Sequence, residues 1–164
     1  ANADFSVALD PSKKLAYGFE MTHNELTSIG YSQNLVIDGN TIIGLTDFTL
    51  IPSRYPSKGG YYTTLAAYVD YKWNLDEKNT LNAGARLTNT RLKAEWSEQA
   101  LVDSRLGKTT NKSNALNMSF GYVYRPNDQW ELRSVLASGF RAPNIDDMGK
   151  IREKQGKLLS LIHI

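Results

Sequence analysis

The residues best suited to gripping a ligand are Arg54 and Tyr55, followed closely by Tyr61 and Tyr62, with Arg141 far along the chain. A planar guanidinium among phenol rings can hold an anionic, ring-bearing molecule such as a metal chelate, through bidentate hydrogen bonds and stacking. A plainer reading stands beside this one. Tyr61 and Tyr62 then belong to an aromatic girdle at a membrane interface, and Arg141 fixes a strand-to-loop turn beside Pro143. Other chemistry is poorly served. No serine sits in a Gly-x-Ser-x-Gly elbow. Asp146 and Asp147 are adjacent, so on a helix their side chains diverge; they suit the first turn of a helix better than acid-base catalysis. His23 and His163, the two histidines, have no metal-ligand spacing to each other or to a carboxylate cluster. His23 reads as an interface or rim polar group and His163 is given no role. Gly59-Gly60 is loop punctuation, since no Gly-Lys-Ser/Thr follows it to cradle a phosphate. No catalytic residue, metal site or cofactor is expected.

Composition narrows the class. The chain has 164 residues, no cysteine, 10% aromatic residues and a net charge of +2. The length fits one domain. Without cysteine there is no disulfide framework, thiolate metal site or thiol nucleophile. The charge is too near neutral and too evenly spread to point to nucleic acid. No stretch approaches the roughly 20 apolar residues of a spanning helix. Mean hydropathy is negative, which fits a soluble protein. It also fits a membrane barrel, whose apolar residues are hidden by alternation. Ala1 opens with no initiator Met, basic n-region or apolar h-region, so no signal peptide is visible and the start reads as mature or truncated. The run Leu159-Ser160-Leu161-Ile162-His163-Ile164 reads as a translated library adapter; a natural amphipathic tail is the alternative. The expected division is a partial barrel over 1–158 and an artefact over 159–164.

The elements that must carry these residues announce themselves by period-two alternation between turn clusters. Phe5, Val7 and Leu9 alternate with polar or small residues up to the turn Asp10-Pro11-Ser12-Lys13. Leu15, Tyr17, Phe19 and Met21 then share a face. A long loop of Gly, Asn, Thr, Ser and two prolines is expected over about 35–60. Leu65, Ala67, Val69, Tyr71 and Trp73 follow, then a polar turn at 74–79. Next come Leu81, Ala83, Ala85 and Leu87 on a strand reaching about Trp96, which is long for a soluble strand. A second loop is expected over about 97–110. Leu116, Met118, Phe120, Tyr122 and Tyr124 share the next face. A turn at 125–129 leads into a strand over 130–139 with weaker alternation. A loop or short helix opens at Asn144, a possible cap after Pro143.

Two asymmetries favour a membrane barrel over a soluble β-sandwich. Short and long connections alternate strictly, as periplasmic turns and extracellular loops do in outer-membrane barrels. Tyr71, Trp73, Tyr124 and Trp130 crowd the strand ends beside the short turns, where an interfacial girdle needs them; a sandwich would more often bury such rings centrally. Glu20, Asp70, Arg86, Glu131 and Arg133 on the polar face suit a wet lumen. Six strands cannot close, because barrels need about eight strands at least. An open edge is not tolerated in lipid, so the chain reads as a segment of a larger antiparallel transmembrane β-barrel, all-β in class.

The stretch Ser138-Gly139-Phe140-Arg141-Ala142-Pro143-Asn144-Ile145-Asp146-Asp147-Met148-Gly149-Lys150 resembles a recurring stretch of TonB-dependent receptors, in which a strand ends in Gly-Phe-Arg-Ala-Pro-Asn and enters an extracellular loop. Bacteroidota-type members often continue with Asp-Asp-Leu-Gly-Lys, to which Asp146-Asp147-Met148-Gly149-Lys150 is similar. Ser53-Arg54-Tyr55-Pro56 with Gly59-Gly60 resembles the loop before a barrel strand, and Leu65 to Leu87 resembles the family's strand-turn-strand unit. The family's Asn-Pro-Asn-Leu-Lys-Pro-Glu type element, plug domain and TonB-contacting segment are absent. The resemblance implies about six strands of a roughly 22-stranded barrel in the bacterial outer membrane, facing outer-membrane lipid. It implies uptake of a scarce nutrient: a ferric siderophore, haem, a cobalamin-like chelate or a glycan. Energy would arrive from the TonB complex through the plug of the parent protein. A passive porin or adhesin barrel without a plug remains the main alternative. A barrel enzyme and a soluble sandwich are the others, the last separated by its independence of detergent.

Overall fold

The computed structural model describes residues 1–51, 53, 55–97, 107–148, 150–154 and 157–161, with Asp146, Met148 and everything from 150 onward described by backbone alone. The strands are β1 (Asn2–Asp10), β2 (Lys13–Leu26), β3 (Gly30–Ser32), β4 (Leu35–Asp38), β5 (Thr41–Leu45), β6 (Thr49–Ile51), β7 (Gly60–Asn74), β8 (Asn79–Glu95), β9 (Lys108–Asn127) and β10 (Trp130–Ala137). One four-residue helix follows, α1 (Ile145–Met148), and then β11 (Lys150–Lys154) pairs with β12 (Lys157–Leu161). Leu159 to Leu161 thus fall in a hairpin strand, while Ile162 to Ile164 lie outside the described residues. The main sheet has six strands in the order β1-β2-β7-β8-β9-β10, a meander in which each strand neighbours the next long one in the chain. Contacts divide the chain into two units. The first is Ala1–His23, Thr63–Arg91 and Lys112–Ala142; the second is Asn24–Tyr62, Leu92–Asn111 and Pro143–Ile164.

In the first unit the expected apolar face is realised by register. Phe5 opposes Tyr17 and Val7 opposes Leu15, and the Phe5 and Tyr17 rings stack at 5.3 Å. Phe120 opposes Leu136, and Tyr124 opposes Leu132. These side chains are exposed: Phe19 is 61% accessible, Leu87 58% and Leu116 57%. Alternation weakens in β10 for a reason the register supplies. Ser134 lies on the apolar side, opposite Tyr122, while Val135 pairs with Gly121 on the polar side.

The three short turns share one device, an Asp or Asn side chain that gathers the backbone N–H groups following it. Ser12 N and Oγ both donate to Asp10 Oδ1 at 2.7 Å. Lys78 N and Asn79 N donate to Asp76 Oδ1 at 2.8 Å. Gln129 N and Trp130 N donate to Asn127 Oδ1 at 3.1 and 3.0 Å. Asn74 N donates to Ser12 O and Arg125 N to Lys78 O, each at 2.8 Å, so the turns lie side by side at one end of the unit. Lys13, paired with Asp10 at 2.9 Å, sits 5.5 Å over the Trp73 ring.

The second unit departs from expectation. The stretch over 35–60 is not featureless loop: β3 pairs with β6 and β4 with β5. Asn34 and Thr46 bridge the two ladders, with Asn34 N donating to Thr46 Oγ1 at 2.8 Å and Thr46 N to Asn34 O at 2.9 Å. The result is one hairpin arm from Gly30 to Ile51, turning at Gly39-Asn40, where Gly39 takes a left-handed φ of 57°. Its Ile37, Ile42, Ile43 and Leu45 are exposed on the arm. β9 also starts earlier than its apolar run, at Lys108, and the third turn is tighter, because Arg125 to Asn127 are strand.

Gly18 lies where no side chain fits. An added Cβ would stand 2.6 Å from the Ala3 carbonyl oxygen and 2.7 Å from Tyr68 Oη. At Gly84 the obstructing atoms are instead the Asp70 carboxylate and Ser119 Oγ, ends of side chains that can swing away. Gly18→Ala is therefore expected to destabilise the full-length protein by about 1–3 kcal/mol in denaturant unfolding, and Gly84→Ala by clearly less; equal effects would refute the backbone clash. The Asp76 carboxyl, in a turn outside the strands, is held below its ordinary 3.8, chiefly by Asn79 and then by the Lys78 N–H. A depressed carboxylate favours the folded turn above its titration and loses that contribution as pH falls through it. An NMR titration should place the Asp76 midpoint below 3.8, and a midpoint at or above that value would contradict the turn geometry.

Candidate functional site: the polar face and the loop cluster

On the first unit the polar residues alternate onto the face opposite the apolar one. Tyr68 Oη donates to the Asp4 carboxylate, and Arg86 Nη2 bonds Glu20 Oε2 at 2.8 Å. Nearer the third turn, Arg125 and Arg133 both grip Glu131. Between these pairs runs a shallow groove of about 330 Å³, lined among others by Tyr68, Asp70, Gly84, Arg86, Asn117 and Ser119. Its floor is low because glycine and serine stand there, and Tyr68 and Asp70 lean over the glycines. The groove is half-open and lined by polar and charged side chains, so it can pass or hold a polar solute, and among the described residues nothing in it is arranged as nucleophile and base.

The second unit has its own small core. Leu92, Ala94 and Trp96 are buried, and Tyr62 and Ile145 pack against them. The loop leading into β7 is tied to the end of β8 by Lys58 N to Glu95 O at 3.0 Å, Glu95 N to Gly59 O at 3.0 Å and Ser97 N to Ser57 Oγ at 2.8 Å. Both glycines of the loop have a local cause. Gly59 takes φ 95°, and a Cβ on Gly60 would stand 2.8 Å from the Lys93 carbonyl oxygen. Asn144 caps α1 as expected: Asp147 N donates to Asn144 Oδ1 at 2.9 Å while Asn144 N donates to Asp147 Oδ2 at 3.0 Å, a reciprocal capping arrangement.

The candidate ligand residues fall in different local settings. Arg54 lies outside the described residues. Tyr55 is half-buried, with its N–H turned to Ser53 Oγ at 3.4 Å. Tyr61 and Tyr62 are successive on β7 and so point to opposite faces; Tyr61 is exposed, whereas Tyr62 belongs to the Trp96 cluster. Arg141 and Phe140 are exposed just past the end of β10, which Ser138 ties to Met118 through Ser138 N to Met118 O at 2.9 Å and Met118 N to Ser138 Oγ at 2.8 Å. Ala142 and Pro143 are half-buried before the capped turn, Lys150 opens β11, and Gly149 lies outside the described residues. The Trp96 cluster was not among the expected sites. Its signal is a change of parity within β8, from apolar odd positions up to Leu87 to apolar even positions at Leu92, Ala94 and Trp96.

The family model described as TonB dependent receptor-like, beta-barrel matches residues 1–153. The chain belongs to the TonB-dependent receptors. No curated protein and no solved structure matches it. As a TonB-dependent receptor barrel it resides in the bacterial outer membrane, and the family are transporters that work with TonB, not enzymes. The exposed apolar face of the first unit is therefore its lipid surface, and the face bearing Asp4, Glu20, Tyr68 and Arg86 is the inner one.

Trp96 holds the loop end of β8, and its indole Nε1 is buried with no hydrogen-bond partner among the described residues. Trp96→Ala is expected to weaken the packing around it by about 3–5 kcal/mol and to expose the Lys58 peptide bond to limited trypsin digestion in detergent. Trp96→Phe should leave digestion near the unmutated rate, because the ring is retained and no hydrogen bond is lost. Equal cleavage of both variants would refute the packing role.

Proposed function

We propose that the parent receptor imports a small anionic metal chelate, such as a ferric siderophore, haem or a related chelate, and that its loops supply the first contact. The observation that carries this reading is a polar, paired inner face, with Arg86 on Glu20 and Tyr68 on Asp4, in a chain of a transporter family. Such a wall offers a solute fixed charges without a competing apolar core. For the cargo itself, Arg54, Tyr55 and Tyr61 supply guanidinium and phenol groups suited to an anionic chelate, and Arg141 offers a second guanidinium. Tyr62 supports the loop from within and does not contact cargo. A glycan cargo would draw on the same rings by stacking but gain little from the two arginines.

The test deletes the parent gene, restores it in variants, and supplies iron solely as haem or as one of several purified ferric siderophores. Growth on at least one such source should depend on the receptor and on TonB. Arg54→Ala and Tyr61→Ala should each weaken binding of that chelate to the purified full-length receptor about tenfold, which is near 1.4 kcal/mol. Receptor-dependent growth only on oligosaccharides would overturn the metal-chelate cargo. Uptake that persists without TonB would favour a passive channel.

A further inference from the structure

The lipid-facing surface ends, away from the short turns, in a pattern that lipid alone does not explain. Arg125 N bonds Lys78 O, and Asn89 Nδ2 bonds Asn114 Oδ1 at 2.6 Å. In both pairs the residue numbers rise on β8 as they fall on β9 and keep the same sum, so one antiparallel register holds between them. Stepping along it sets Leu87 opposite Leu116, then Asn89 opposite Asn114, then Arg91 opposite Lys112. All six alternate onto the lipid-facing side. Arg91 and Lys112 are exposed, and no ion pair reaches either among the described residues. Opposite residues on one face of an antiparallel pair have Cβ atoms about 5 Å apart, and like charges so placed repel. At the border of a hydrocarbon layer, where screening by water is poorer, the repulsion grows. An anion seated between them would turn it into attraction.

Below this pair the same surface is hollowed. A groove of about 540 Å³ crosses β2, β7 and β8, lined among others by Phe19, Met21, Leu65, Ala67 and Leu87, and it runs up to Asn89. Its floor is Ala67, the smallest of those side chains, flanked by Leu65 on its own strand and by larger apolar residues on both neighbouring strands. The ladder therefore reads, from the membrane outward, as apolar groove, amide pair and cation pair. A molecule matching that order has an acyl chain below and a phosphate above.

We infer that the outward face around Ala67, Asn89, Arg91 and Lys112 is a binding site for a phosphate-bearing lipid of the leaflet farther from the short turns. Arg91 takes the phosphate by a bidentate pair of N–H donors and Lys112 adds a point charge. The Asn89–Asn114 pair presents amide groups at the ester and sugar level, and one acyl chain lies over Ala67. Both arms of the recognition rest on the barrel's place in the membrane and neither depends on the cargo.

The test uses the purified full-length receptor, delipidated in detergent and examined by native mass spectrometry with diphosphorylated lipid A as probe. The unmutated receptor should retain the lipid, and the same lipid stripped of its phosphates should be retained at least tenfold less. Arg91→Gln with Lys112→Gln should bring the phosphorylated lipid down to that lower level. Ala67→Trp, which fills the groove, should also cut retention severalfold. Each variant's folding is checked by its heat-modifiable mobility on gels. Equal retention by the double variant, or equal retention of the stripped lipid, would overturn the site. Inorganic phosphate binding as tightly as the lipid would overturn the lipid as its ligand, and full retention by Ala67→Trp would overturn the acyl seat.

Discussion

Everything in the first unit follows from one constraint: in hydrocarbon, each backbone N–H and C=O has to find its partner within the protein. A β-sheet can do this only by pairing every strand on both edges, so the chain commits to a continuous meander whose neighbours are also neighbours in sequence. With the backbone satisfied laterally, side chains are freed from making a core. Ala66 and Ala115 are the buried apolar residues of this unit among those described, both small, while Phe5, Phe19, Leu87, Leu116 and Phe120 stand exposed. In water that distribution would be inside out. In a bilayer the solvent itself plays the core, and the polar side chains are the ones turned inward.

The inner face shows what replaces hydrophobic packing there. Each charge among Asp4, Glu20, Arg86, Arg125, Glu131 and Arg133 has a partner on its own face. Exposed pairs of this kind contribute little individually, about 0–1 kcal/mol, so their value lies in holding side chains flat along the wall. Gly18 and Gly84 make the same point by omission: they leave room for Tyr68 and Asp70 to lie down over the strands beside them. A wall that keeps its side chains low keeps its passage wide.

Much of the fold was legible because a strand with lipid on one side and water on the other writes its environment into every second residue. Phe5 to Leu9, Leu15 to Met21, Leu65 to Trp73 and Leu116 to Tyr124 all reappear with the expected faces. The readings that missed share a physical cause. The Gly30–Ile51 arm is apolar on both faces and interrupted by Gly39, Asn40 and Gly44, so no alternation marks it. The start of β9 is Lys108, Thr109, Thr110 and Asn111, a polar run with no apolar residue to mark a face. The Trp96 cluster hid behind a switch of parity within one strand, which a single period cannot show. Tyr61 and Tyr62 looked like a pair in sequence, yet a strand sends neighbours to opposite sides, and Tyr62 went to the core.

The Gly30–Ile51 arm bears on how such a protein reaches its membrane. Apart from Asp38 and Asp47 it is uncharged, it contains no proline, and its strands β4 and β5 are exposed along their whole length. Before insertion the polypeptide crosses an aqueous compartment, where a segment of this composition is the one most prone to pair with another copy. The charges of Asp38 and Asp47 are thus what opposes such pairing along the arm until the strands are in place.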